Sequence, residues 1–239
     1  QALLLMALDA GNTLLNLLGE HSLAQTCKLK CQQMRQYPLY NLNNNLNKQA
    51  ASLMGLAGLI KPDEVNIIIS NNGTKGFSTF YGYYMLQAQA QANNYSGALD
   101  MIRSYWGGML QMGATTFWED FDVEWMENAG RIDEITPQGK KDIHADFGRF
   151  CYTGLRHSLC HGWASGPTAW LTEHVLGVKV LEPGCRVLKI EPHLENLEWV
   201  KGRFPTPLGD VDIYHRKEGD RVITKIQAPK GIKVIKSDS

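Results

Sequence analysis

The stretch Gly113-Ala114-Thr115-Thr116-Phe117-Trp118-Glu119 puts one carboxylate directly behind two aromatics and two hydroxyls. Glycosidic bonds are commonly cut by a pair of carboxyl groups. One protonates the leaving oxygen, and the other acts on the sugar carbon or on a water. Glu119 is the candidate for the second role. Trp118 offers a ring that either stacks on a sugar face or packs beneath the carboxylate. Thr115 and Thr116 would hold the local backbone or bond the carboxylate. Asp120, Asp122 and Glu124 follow closely and read individually as solvated or capping charges. The same cluster also reads as an acidic loop whose tryptophan is anchored in the core, and spacing alone leaves both readings open.

His161 is the second candidate. It stands between Cys160 and Gly162-Trp163, just before a helix start, where its ring would donate to a sugar hydroxyl or sit half-buried with its needs met. His193, at a strand end in Glu191-Pro192-His193, is weaker, and Trp106 at helical spacing is assigned to the core. Cys27 and Cys31, four apart, share a helix face as small apolar residues. With no CxxC pair and no further ligands at matching spacing, neither a metal site nor a cofactor is implied. The five cysteines are an odd, scattered set, which argues against a disulfide framework. Gly-rich phosphate loops, a nucleophile elbow and HExxH are absent, which disfavours nucleotide, serine-hydrolase and zinc-protease chemistry. Lys plus Arg and Asp plus Glu number 24 each. That balance provides no basic surplus to attract nucleic acid or anionic lipid.

The elements that must position these residues are legible in the hydrophobic pattern. Helices are expected over 2–19, 21–36 before Pro38, and 48–60 after the polar stretch Asn41–Asn47. Pro62 suits a first helical turn, followed there by Asp63 and Glu64. Ser78 is expected to cap a helix over 79–92, and Ser96 another over 97–111. Short connectors favour antiparallel helical hairpins. From about 112 to 165 the pattern breaks into a long irregular stretch whose aromatic content argues for order. One more helix opens at Ser165-Gly166-Pro167 and stops at Gly177. Beyond it, 187–190, 197–200, 211–214, 222–226 and 232–235 read as short strands of an antiparallel, sandwich-type β unit. The boundary falls near residue 178, giving units 1–177 and 178–239. The apolar opening, Gln1 to Leu8, is too short for a membrane span and lacks a positive leader, so no membrane association is expected. It reads as the middle of a domain, with an N-terminal remainder of the same polypeptide as its partner.

The Gly113–Glu119 block is joined by Ser158-Leu159-Cys160-His161-Gly162 before a helix. A β tail follows with Ile190-Glu191-Pro192 and Thr206-Pro207-Leu208-Gly209. Together these resemble the C-terminal part of bacterial α-L-rhamnosidases, the family 78 inverting glycoside hydrolases. The resemblance covers most of the chain, and residues 112–210 are its specific part. It implies a mainly α protein with a β tail: part of an (α/α)₆ barrel of six helical hairpins, then a small antiparallel β-sandwich. It further implies a general-base role for Glu119, a rhamnose contact for His161 and a pocket-shaping place for Trp118. The implied substrate is a terminal α-L-rhamnoside.

The chain departs from the family pattern at three points. Cys160 replaces the usual Asn before the histidine. The segment between Glu119 and His161 is longer than in many relatives. No counterpart of the family's upstream general acid precedes residue 113, and the helices are too few for six hairpins. A carbohydrate-binding or catalytically incomplete protein, or a six-hairpin glycosidase for another sugar, are the rival readings.

Overall fold

The computed structural model describes residues 1–37, 46–147, 157–219 and 221–236. Pro38, most of the 41–47 stretch and Cys151 lie outside them. The first half is helical: α1 (Ala2–Leu17), α2 (His21–Arg35), α3 (Lys48–Leu56), α4 (Pro62–Ser70), α5 (Gly82–Gln91) and α6 (Tyr95–Gln111). α1 packs on α2 as a hairpin, and α3 packs on α4 and α5. Pro62 occupies the first turn of α4 with Asp63 and Glu64 behind it, as expected from its fixed φ and the helix dipole. No described helix is long and apolar enough to cross a membrane.

Two caps differ from expectation. α6 is capped by Asn94, whose Oδ1 accepts from the Gly97 N–H at 3.0 Å, so the helix starts before Ser96. α5 begins later than the sequence suggested, with Tyr81 at its cap position. Ser78 contributes its carbonyl to the Gly82 N–H, while its buried hydroxyl has no partner among the described residues. The turn 78–81 thereby stays outside the helix and faces the site.

The main core lies among α3 to α7 and the loop after α6. It holds Val65, Ile69, Met85, Leu86, Tyr105, Met109, Trp118, Phe121 and Trp170. α7 (Gly166–Trp170) continues as a π-helical turn over Leu171–Val175 and ends before Gly177. Gly177 has φ +77, and its Cα lies against the Glu191–Pro192 backbone so closely that an added Cβ would meet Glu191 at 2.4 Å. Only glycine meets both demands.

The tail forms two three-stranded sheets. In one, β1 (Val178–Val180) pairs antiparallel with β2 (Val187–Ile190), and β2 pairs parallel with β6 (Lys233–Lys236). In the other, β3 (Trp199–Phe204), β4 (Val211–Glu218) and β5 (Arg221–Gln227) form an antiparallel meander. The expectation of purely antiparallel pairing therefore fails at β2–β6, where the last strand returns alongside β2 in the same direction. β1 was not foreseen, because three residues are too few to carry a period-2 signal. Val211, Ile213 and His215 alternate inward along β4. Residues of both sheets share one cluster with Leu176. His215 ties that cluster to α7: its Nε2 donates to the Leu176 carbonyl at 3.1 Å, and its Nδ1 accepts from Thr224.

Lys179 and Lys189 stand directly opposite each other across β1 and β2, a like-charge pairing that costs stability. Glu191 offsets it, accepting from Lys179 at 2.6 Å and from Lys189 at 2.8 Å. Those two bonds pull its carboxyl from 4.5 down to about 2. A depressed folded-state pKa supplies stability that is fully present above the unfolded value and lost as pH falls through the folded one. Glu191→Gln is therefore expected to lower the urea midpoint at neutral pH. It should also flatten the decline of that midpoint between pH 4.5 and about 2. An unchanged pH profile would assign the acid sensitivity to other carboxylates.

Candidate active site

The site is built on the exit from α6. Gly113 (φ +89) closes that helix with paired bonds, Gly113 N–H to the Leu110 carbonyl and Ala114 N–H to the Met109 carbonyl, both 3.0 Å. This is the Schellman arrangement, in which glycine carries the left-handed turn. The chain then runs on as an irregular segment, with bends at Thr115, Thr116 and Glu119.

The two blocks singled out in the sequence lie side by side. The Glu119 N–H donates to the Ser158 carbonyl at 2.8 Å, and the His161 N–H donates to the Phe117 carbonyl at 2.7 Å. The Thr116 hydroxyl donates to the Leu159 carbonyl. The Ser158 N–H, in turn, donates to Glu119 Oε2 at 2.9 Å, fixing one carboxylate oxygen. The Glu119 carbonyl takes the Thr79 hydroxyl at 2.5 Å and the Trp163 indole N–H at 2.7 Å. Glu119 is thus held through its N–H, its carbonyl and one side-chain oxygen.

Glu119 lines a cavity of about 530 Å³ with Gln49, Thr79, Tyr81, Asp120 and Trp163. His161 lines a neighbouring, mainly apolar cavity of about 440 Å³ with Trp106, Met109, Phe117 and Cys160. Trp163 links the two sides. Its ring lies 4.2 Å from that of His161, while its N–H reaches Glu119.

Trp118 takes the second of its two anticipated places. It is 0% exposed, so its ring has no face to offer a sugar. It packs edge-on against Phe121 and His157 beneath the Glu119 segment. Direct substrate contact by Trp118 is corrected on that ground. Trp163, 46% exposed, does face the cavity, together with Phe80 and Tyr81; sequence reasoning passed it over although it is two residues from His161. Trp106 lies in the core as expected, with its N–H on the Ala164 carbonyl at 2.9 Å. His193 stacks on Tyr95 at 3.6 Å and lines neither cavity.

Among the following acids, Asp122 caps a 3₁₀ turn (Val123–Glu127) through the Glu124 N–H, and the exposed Glu124 pairs with Lys75. Both match the capping and solvated readings. Asp120 does not. Burial raises its carboxyl above the ordinary value, opposed by the Phe121 N–H on Oδ1 and reinforced by Asp122 and Glu119. The buried His157, a residue not anticipated, accepts the Asp120 N–H at Nε2 (3.0 Å) and faces the Ile143 carbonyl with Nδ1 (3.2 Å). A backbone N–H on one ring nitrogen and a carbonyl on the other specify the Nδ1–H tautomer. His157 thereby anchors the backbone behind Glu119.

The loop beyond is tied back as well. Ile132 donates to the Met112 carbonyl, Gly130 donates to the Lys141 carbonyl at 2.9 Å, and Lys141 donates to the Asn128 carbonyl at 2.8 Å, which makes the parallel Ala129–Lys141 bridge. Trp125 stacks on Phe147 at 4.7 Å. Its described part is packed through these aromatics, as their content suggested.

This helix-rich body with small sheets matches part of the fold of solved glycoside hydrolases. The proteins it resembles are α-L-rhamnosidases, family 78 among them. It is 26% identical over 209 residues to an α-L-rhamnosidase from Alteromonas sp. (strain LOR), covering 80% of this chain and 20% of that protein. The family 78 rhamnosidase of Bacillus sp. GL1 shares its fold with a TM-score of 0.77 at 21% identity, over 98% of this chain and 25% of that one. The α-L-rhamnosidase of Aspergillus terreus does so with a TM-score of 0.77 at 18% identity, over 98% and 27%. No family model matches the chain. The chain thus spans about a fifth of the curated relative's length and about a quarter of the solved ones.

Proposed function

We propose that the chain supplies one wall of the sugar site of an inverting α-L-rhamnosidase, with Glu119 as the general base. The observation that carries this reading is the fixed Glu119 carboxylate in a cavity beside the exposed Trp163 ring. One oxygen is engaged by the Ser158 N–H, and the other, with no partner among the described residues, would take a proton. Ionised Glu119 would accept a proton from a water as that water attacks the anomeric carbon. The departing oxygen would receive its proton from a carboxylic acid on the opposite face, roughly 6.5–9.5 Å from the base. Asp120 is unsuited to that second role, because consecutive residues of one segment cannot flank a sugar ring from both faces. His161 is assigned to a sugar hydroxyl and Trp163 to the apolar ring face.

The acid is assigned to the rest of a longer polypeptide, in keeping with the greater length of the relatives. The exposed leucines, Leu3, Leu4, Leu14 and Leu17 on α1 and Leu23 and Leu29 on α2, are apolar surface for that remainder to cover. In this reading residues 1–177 belong to the (α/α)₆ barrel and residues 178–239 form a C-terminal β-sandwich. A sugar-binding protein without turnover is the second reading, favoured by the pairing of Glu119 with no carboxyl across the cavity among the described residues.

Calorimetric titration of the 239-residue chain with methyl α-L-rhamnoside, alongside an aryl rhamnoside assay, tests the proposal. Saturable binding without hydrolysis is expected. Absence of binding would remove the sugar site, and hydrolysis by this chain alone would mean that the acid lies within it.

A further inference from the structure

The sequence placed Asp120 among the solvated or capping acids, and the base assignment of Glu119 leaves it without a task. Its surroundings give it one. Asp120 lines the same cavity as Glu119 and is partly buried there. Oδ1 is occupied by the Phe121 N–H at 2.9 Å, and Oδ2 has no hydrogen-bond partner among the described residues. The backbone around it is pinned on both sides. His157 holds the Asp120 N–H, and the buried Tyr105 hydroxyl donates to the Phe121 carbonyl. A carboxylate fixed in this way presents one acceptor oxygen in a set direction at little entropic cost on binding.

Among the other polar groups of the cavity wall, Ser78 and Tyr81 bring only neutral hydroxyls, and three more are engaged elsewhere. The Thr79 hydroxyl and the Trp163 N–H both serve the Glu119 carbonyl, and Gln49 Nε2 donates to the Gly76 carbonyl at 3.2 Å. A sugar enters with several O–H donors, each of which loses water on binding and needs an acceptor. Glu119 must keep its free oxygen for the attacking water. That leaves Asp120 Oδ2 as the charged acceptor on this wall for a hydroxyl of the sugar. Burial penalises a charge at this position, and a donating hydroxyl would offset that penalty.

We propose that Asp120 is a substrate-binding, specificity-determining carboxylate that accepts a hydrogen bond from one ring hydroxyl of the bound sugar. This rests on the sugar-site reading above and adds a residue that chooses among sugars by the position of that hydroxyl. A site built to pair with a hydroxyl rejects the analogue that lacks it, because its own polar group is then left buried and unpaired.

The test uses the 239-residue chain, with methyl α-L-rhamnoside and its 2-, 3- and 4-deoxy analogues as titrants. Asp120→Asn keeps the shape and the acceptor for Phe121 but removes the charge. It is expected to bind the parent glycoside roughly tenfold more weakly, the range for a lost charge-assisted bond. One deoxy analogue should bind the wild type about tenfold more weakly than the parent, yet match the parent in Asp120→Asn. A purely structural role would weaken all four ligands alike. The same ranking of ligands in both proteins would overturn the inference while leaving the sugar site standing. No binding of the parent glycoside by the wild type would overturn the sugar-site reading itself. If Asp120→Asn fails to fold by its urea midpoint, equal affinities across the deoxy series in the wild type would still refute the assignment.

Discussion

Glu119→Gln, introduced into the complete enzyme that the proposal builds around this chain, is expected to lower kcat by roughly 10²–10⁴-fold, the span for loss of a general base. Affinity for the rhamnoside should stay within about threefold. Glutamine keeps the shape of the side chain and can still accept the Ser158 N–H at the position now held by Oε2. The bonds to the Glu119 N–H and carbonyl come from its backbone and are untouched. What disappears is the basicity of the remaining oxygen. The loss should therefore fall on kcat while KM moves little, the signature of an interaction that matters in the transition state. Near-wild-type turnover would remove Glu119 from the chemistry and return the acidic segment to a structural role.

Trp118→Ala should cost about 3–5 kcal/mol, the range for truncating a large buried aromatic. The ring is wholly enclosed between Phe121 and His157, and the cavity left behind would sit directly under the Glu119 segment. Trp118→Phe is the informative companion. The indole N–H of Trp118 is buried with no partner among the described residues, so phenylalanine removes that donor along with part of the ring. Its cost should be under about 2 kcal/mol. Urea unfolding followed by circular dichroism measures both. The same pair separates support from contact: Trp118→Phe should retain rhamnoside binding, whereas Trp163→Ala should weaken it. Equal binding losses would put Trp118 at the sugar after all.

The helices and the two site blocks were legible because each carries a local signal. The 3.6-residue pattern, Pro62 at a first turn, Gly113 past the end of α6 and Gly177 past the end of α7 are all read within a few residues. The adjacency of Glu119 and Ser158 was not legible. It depends on a loop of some forty residues folding back, and no short-range rule reports which backbone groups such a loop will pair. Trp118 and Trp163 show the same limit. Two tryptophans near candidate polar residues look alike in sequence, and burial, a tertiary property, decides which one faces the cavity. His157 was missed because a histidine that receives a backbone N–H and faces a carbonyl leaves no spacing pattern. The parallel β2–β6 pair escaped for a related reason, since strand direction in a sheet is set by where the chain returns.

Azide rescue of Glu119→Gly in the complete enzyme tests the central claim most directly. Removing the side chain opens the position from which water is activated, and azide needs no base to attack there. Azide is expected to restore release of the leaving group and to yield β-L-rhamnosyl azide, the inverted product. Glycoside cleavage that stays at the Glu119→Gly level in azide, with no rhamnosyl azide formed, would contradict a Glu119 placed beside the anomeric carbon.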